Sequence, residues 1–156
     1  MDAITPCLWF DTTGEDAARF YTSVFPNSEV GEIARYGSAG PRAEGSVMTV
    51  AFTLNGQPFT ALNGGPDFSF SEAISFQINC ADQDEVDHYW NALSEGGEEG
   101  PCGWLKDRFG LSWQVVPTAL PELLADSDPQ RGQRAMQAML GMKKLDIGEL
   151  RRAADG

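Results

Sequence analysis

The chain reads as an α+β fold of two strand–helix–strand–strand–strand (βαβββ) modules followed by C-terminal helices, and three observations carry that prediction. One strand signal, one helix signal and three further strand signals follow each other between Ile4 and Leu62. The pattern then restarts at Ala73, so that Phe20-Tyr21 falls on Tyr89-Trp90, Val24 on Leu93 and, across a shorter middle segment, Gly56 on Gly110. Beyond Pro117 the apolar spacing is helical. These boundaries give module 1 at about 4–62, a linker at 63–72, module 2 at about 73–117 and a helical tail at 118–154, all within one domain of 156 residues.

Ile4 to Phe10 alternates Ile4, Leu8 and Phe10 with Thr5, Cys7 and Trp9, the period of a strand. Thr12 with Glu15 three residues on is a capping-box signal for a helix whose stripe is Ala17, Phe20, Tyr21, Val24 and Phe25, ended by Pro26-Asn27. Strands are predicted at Glu29–Tyr36 and Val47–Leu54, separated by a Gly/Ser/Pro-rich loop, and Asn55-Gly56 turns the chain into a return strand ending at Leu62. In module 2, Ala73–Asn79 alternates Ile74, Phe76 and Ile78 with Ala73, Ser75, Gln77 and Asn79, and the strands of the repeat superpose Thr5 on Ala73. Asp82 with Glu85 starts a helix with the stripe Val86, Tyr89, Trp90, Leu93, stopped at Gly96-Gly97. A hairpin spans Pro101 to Pro117, its second arm alternating Leu111, Trp113 and Val115 with Ser112, Gln114 and Val116. Asp67 and Asp107 read as turn residues, and Lys106 with Asp107 as a surface pair. The tail begins with a helical turn at Leu120–Ala125. Next is a helix capped by Asp128 with Pro129 at its first position and striped by Gly132, Ala135, Met136, Met139 and Leu140, and a short helix runs from Asp146 through Leu150.

Composition narrows the function. Twenty-three acids against eleven bases give a net charge of -12, which repels phosphate backbones and anionic lipid, so neither nucleic acid nor membrane is an expected partner. Cys7, Cys80 and Cys102 are an odd number without metal-site spacing, as in a reducing cytoplasm, and no export signal or spanning segment is read.

The motifs Leu8-Trp9-Phe10-Asp11, Phe20-Tyr21, Phe25-Pro26, Leu62-Asn63-Gly64-Gly65-Pro66, Ala73-Ile74-Ser75-Phe76, Gly103-Trp104-Leu105-Lys106-Asp107 and Ser112-Trp113-Gln114 resemble the PhnB-like branch of the vicinal oxygen chelate superfamily, which includes glyoxalase I, extradiol dioxygenases and bleomycin-resistance proteins. The resemblance runs from about Ile4 to Leu150 and implies curved mixed sheets and a homodimer. The branch is often labelled as 3-demethylubiquinone 3-methyltransferase-like. Methyl transfer is nonetheless not expected, because no Gly-rich strand-to-helix turn for S-adenosylmethionine is present.

In metal-using members, the resemblance implies four ligands from the inward faces of the first and last strand of each module. The matching positions are Thr5, Thr60, Ala73 and Gln114. Only Gln114 is a plausible ligand, and the single histidine, His88, lies off the buried stripe of its helix. A metal-free protein without cofactor is therefore expected. The inward face, Thr5, Cys7, Trp9, Thr60, Leu62, Ala73, Ser75, Gln77, Ser112 and Gln114 with Trp104 near the hairpin mouth, is the predicted cavity lining. Small hydroxyls, amides and indoles suit an uncharged or cationic planar ligand. Three readings result: a cytoplasmic small-molecule-binding homodimer with no assigned chemistry; an enzyme of the same fold, lyase, isomerase or dioxygenase-like, using a divalent metal or cavity groups such as Gln114, Cys7 or Ser75; and a purely structural dimer module, against which the many small polar residues on the inward face count.

Overall fold

A computed structural model describes residues 3–156. The chain divides into two compact units, one ending at Phe70 and one beginning at Ser71.

In the first unit, β1 (Cys7–Phe10), α1 (Gly14–Val24), β2 (Glu29–Arg35), β3 (Val47–Leu54) and β4 (Gln57–Asn63) follow in order. The sheet runs β1-β4-β3-β2, with β1 parallel to β4 and the other pairs antiparallel. Alternation decides the faces: Leu8, Phe10, Val50, Phe52, Phe59 and Ala61 turn toward the core that also receives Ala17, Ala18, Tyr21 and Val24 of α1. Asn55 and Gly56 both take positive φ, 52° and 81°, the type I′ geometry that the Asn-Gly dipeptide favours.

Three details depart from the sequence reading. The first strand begins at Cys7 rather than Ile4, whose side chain is 83% exposed. Thr13, not Thr12, is the N-cap of α1 and its side chain makes no capping bond; the Gly14 amide donates to Asn63 Oδ1 at 2.8 Å instead. Asn63 belongs to β4 and is buried, not part of the linker. Its Nδ2 donates to the Val47 carbonyl, and its own carbonyl accepts from the Tyr36 hydroxyl at 2.6 Å. A neighbouring helix end is thus capped from the sheet, which leaves the local capping box unused.

The second unit repeats the plan with β5 (Phe76–Cys80), α2 (Gln83–Ser94), β6 (Glu98–Glu99), β7 (Trp104–Lys106) and β8 (Ser112–Pro117), in the order β5-β8-β7-β6. Asp82 caps α2 through the Glu85 amide as expected from the sequence, while Glu85 Oε2 accepts from the amide of Ala81, one residue before the cap, in place of the Asp82 amide of a reciprocal box. Val86, Tyr89, Trp90 and Leu93 are all buried. Ile74 lies before β5 and is 71% exposed, so the strand is shorter at its start than predicted. The parallel registers set Cys7 beside Thr60 and Gln77 beside Gln114. Because Leu8 and Phe10 are buried as Ile78 and Cys80 are, the repeat superposes Cys7 on Gln77 and Thr5 on Ser75, two residues later than the sequence alignment placed it.

Asp107 is not a surface residue. It is 3% exposed, its Oδ1 accepts from the amides of Phe109 and Leu111, and its Oδ2 accepts from Trp113 Nε1 at 2.9 Å. The carboxylate shapes the turn and ties it to β8. Lys106 pairs with Glu72 rather than with Asp107.

The tail forms α3 (Ala119–Leu124), α4 (Pro129–Leu140) and α5 (Ile147–Asp155), with Asp128 and Asp146 as side-chain caps. Leu120, Leu145 and Leu150 make a buried cluster against Val116, Leu123, Leu124, Ala138, Met139 and Met142. The tail therefore packs on β8 of its own unit. Of the predicted α4 stripe, Gly132 and Ala135 are buried, whereas Met136 and Leu140 are exposed.

Candidate functional site

The sequence-predicted residues fall in different settings. In the first unit Thr5 precedes β1 and is exposed, Cys7 is exposed, and Thr60 beside it is half-buried. Desolvation raises the Cys7 thiol above its ordinary value, away from nucleophilic thiolate at neutral pH. Trp9 packs under the following segment: its Nε1 donates to the Gly65 carbonyl at 2.9 Å and its ring meets Phe68 edge-on at 4.9 Å. A Cβ on Gly64 would stand 2.4 Å from that ring, so the linker glycine is there to let backbone lie on indole.

In the second unit several predicted residues meet. Gln114 pairs across the sheet with Gln77 on one side and Trp104 on the other, and its Nε2 donates to Ser75 Oγ at 3.0 Å. Gln77 is exposed and its amide donates to Asn79 Oδ1. Ser112 pairs with Lys106, so Trp104, Lys106, Ser112 and Gln114 share the face opposite to Leu105, Trp113 and Val115, which enter the core.

Trp104 and Ser112 line an open, mainly apolar groove of about 520 Å³, whose other walls come from Glu98 of β6, Pro101 and Cys102 of the connecting loop, and Lys106. The loop is fixed where it turns. Cys102 has φ 58° and Gly103 φ 86°, and their amides donate to the carbonyls of Met142 and Lys143, each at 2.8 Å. At the base, Ser112 is 1% exposed, and its hydroxyl has no hydrogen-bond partner among the described residues. An unpaired buried hydroxyl costs about 1–3 kcal/mol, so a ligand that satisfies it gains a directional contact. The sequence reading missed Glu98 and Cys102, because a two-residue strand has no periodicity and Cys102 sits in a turn. The register of Glu98 opposite Lys106 is what brings it to the groove.

Two comparisons with known proteins bear on this site. The family model described as 3-demethylubiquinone-9 3-methyltransferase matches residues 2–116. A PhnB protein from Bacillus cereus that carries the same label is 35% identical, over 75% of this chain and 100% of that one, with a TM-score of 0.67. The chain belongs to the PhnB-like branch of the vicinal oxygen chelate superfamily. A Pseudomonas aeruginosa protein (20% identity, 75% and 98% of the two chains, TM-score 0.63) has the same fold. So does the fosfomycin resistance protein FosX of Mesorhizobium loti (14%, 80% and 98%, 0.57). Among curated proteins no match is found.

The superfamily's metal centre does not fit the residues of this PhnB-like chain. Of the mapped positions, Thr5 and Thr60 offer hydroxyls, Ala73 offers nothing, and the Gln114 amide is already bonded to Ser75. The corrected repeat replaces Ala73 with Ser75, one more hydroxyl. Neutral hydroxyls and one amide do not assemble the imidazole and carboxylate set that a divalent transition metal requires. Among the described residues no three His, Cys, Asp or Glu side chains are placed to hold a metal ion, nor is any helix long and apolar enough to cross a membrane.

Proposed function

We propose that this PhnB-like protein is a single-domain, metal-free homodimer that binds a small organic molecule in the groove of its second unit. The observation that carries the reading is the buried, unpartnered Ser112 hydroxyl at the base of a 520 Å³ groove walled by Trp104. That volume lies within the range of small-molecule sites, and a mainly apolar wall with a few placed polar groups is their usual chemistry. The methyltransferase label of the family finds no support in the fold: both sheets are mixed four-stranded sheets, not a doubly wound parallel sheet with a Gly-rich nucleotide turn. The dimer reading is supported by Ile4, Phe68, Ile74 and Leu140, large apolar side chains that a single chain leaves in water.

Native mass spectrometry on untagged protein purified without chelators tests this reading. A dimer of bare chain mass, or one with an organic adduct, is the expected result. One metal ion per chain overturns the metal-free assignment, and a monomer across the working concentration range overturns the dimer.

A further inference from the structure

The groove carries a charge pattern that specifies its ligand further, if it is the binding site argued above. Glu72, Glu98 and Glu99 contribute to its wall, against Lys106 as the only base. Glu99 Oε1 accepts from Trp90 Nε1 at 2.8 Å, which turns that carboxylate toward α2. Lys106 Nζ is paired with Glu72. Glu98, directly across from Lys106 in the β6–β7 ladder, is left exposed at the rim, two residue pairs along the ladder from the Trp104 strand position. An exposed carboxylate, an indole wall and an excess of negative charge together attract cations: the carboxylate by direct charge, the indole through its π face. The net charge of -12 adds a long-range attraction of the same sign.

Acidic residues by themselves are ordinary surface. The Ser112 hydroxyl distinguishes this cluster, because it is buried, without a partner and on the same sheet face as Trp104 and Lys106. We infer that the groove takes an organic cation, a substituted ammonium whose charge lies by Glu98 and Trp104 and whose hydroxyl or carbonyl reaches Ser112.

The probes that test this are choline and 3,3-dimethylbutan-1-ol, which share size, shape and hydroxyl and differ in the central charge. Each is titrated into the full-length protein while the Trp104 indole N–H and the Ser112 amide are followed by NMR. Choline is expected to bind about tenfold more tightly than the alcohol, the size of one favourable cation–π and carboxylate contact. Glu98→Gln is expected to shrink that ratio toward one while leaving the fold intact, since the side chain is exposed. Trp104→Ala is expected to weaken both probes. Equal affinity for the two probes overturns the cation inference and leaves the groove assignment standing. If neither probe shifts Trp104 or Ser112, the groove assignment and the inference are overturned together.

Discussion

The two units share one strand order and differ in how much of it they build. In the first, β2 and β3 have seven and eight residues and pair along their length with two register breaks, at Val30/Ile33 and Ala34/Arg35. In the second, β6 and β7 have two and three residues. The shortened edge in the second unit gives way to a loop whose amides are held by tail carbonyls, and it is here that the groove opens. Topology is preserved because β1 with β4 and β5 with β8 form the same parallel pair, each covered by one helix. The structural difference arises at the outer edge, where the short β6 and β7 strands leave the space open.

Each unit also has one buried polar residue that joins several backbone groups, and comparing them gives the largest expected effect. Asp107 accepts from two amides and one indole N–H. Asp107→Ala strands three donors, two of them on the buried residues Leu111 and Trp113, and is expected to cost about 3–5 kcal/mol. Asn63→Ala strands the Gly14 amide and the Val47 carbonyl and is expected to cost about 2 kcal/mol. Urea unfolding of the two variants measures both. A smaller loss for Asp107→Ala than for Asn63→Ala would break the assignment of the second unit's turn as the more tightly determined one.

Much of this frame was legible in the sequence, for a physical reason in each case. The Asp82 cap of α2, the Asn-Gly turn, the Asp128-Pro129 start and the Val86–Leu93 stripe are local signals, and local structure satisfies them. What failed was non-local. The Thr12 signal lost to Asn63, forty-nine residues away along the chain from Gly14, and no local pattern announces a cap from another strand. Asp107 has the composition of a turn residue and the partners of a core residue. Of the candidate site, Trp104 and Ser112 were found from the hairpin's alternation, whereas Glu98 required the β6–β7 register and Cys102 the tail's grip on its amide. The strand correspondence slipped by two because alternation repeats every two residues, so patterns two apart look alike until pairing fixes them.

The cysteines sharpen the contrast between surface and core. Cys80 takes the place that Phe10 has in the first unit and is fully buried; desolvation, with Glu85 nearby, pushes its thiol up to about 12 from an ordinary 9.0. A raised folded-state value means that the folded protein retains the proton that the unfolded chain releases. This contribution is intact below pH 9.0 and is lost as pH rises from there toward 12, by up to about 1.4 kcal/mol per pH unit. Unfolding midpoints measured through that window should fall more steeply for the parent than for Cys80→Ala. Identical slopes would mean that the thiol is not held in the dry core. Thiol-reactive reagent should label exposed Cys7 in the folded state and Cys80 only on unfolding.

The smallest effect on stability should come from the rim of the groove, where it separates binding from folding. The Lys106 ammonium holds the Glu72 carboxyl below its ordinary value, and Glu72 raises Lys106 in turn. For a carboxyl lowered in the folded state, the stabilising contribution is present above the unfolded value near 4.5 and is lost as pH falls through the folded one. Both side chains are in water, where such pairs contribute little. Glu72→Gln is therefore expected to leave the thermal midpoint unchanged at neutral pH. It should still weaken choline binding, because it removes a carboxylate and frees the Lys106 charge in the groove. A variant that loses stability and leaves choline binding untouched would place Glu72 in the architecture of the second unit. The opposite result would show that the shortened edge strands, which cost that unit part of its ladder, leave a rim whose charges act on a ligand and contribute almost nothing to folding.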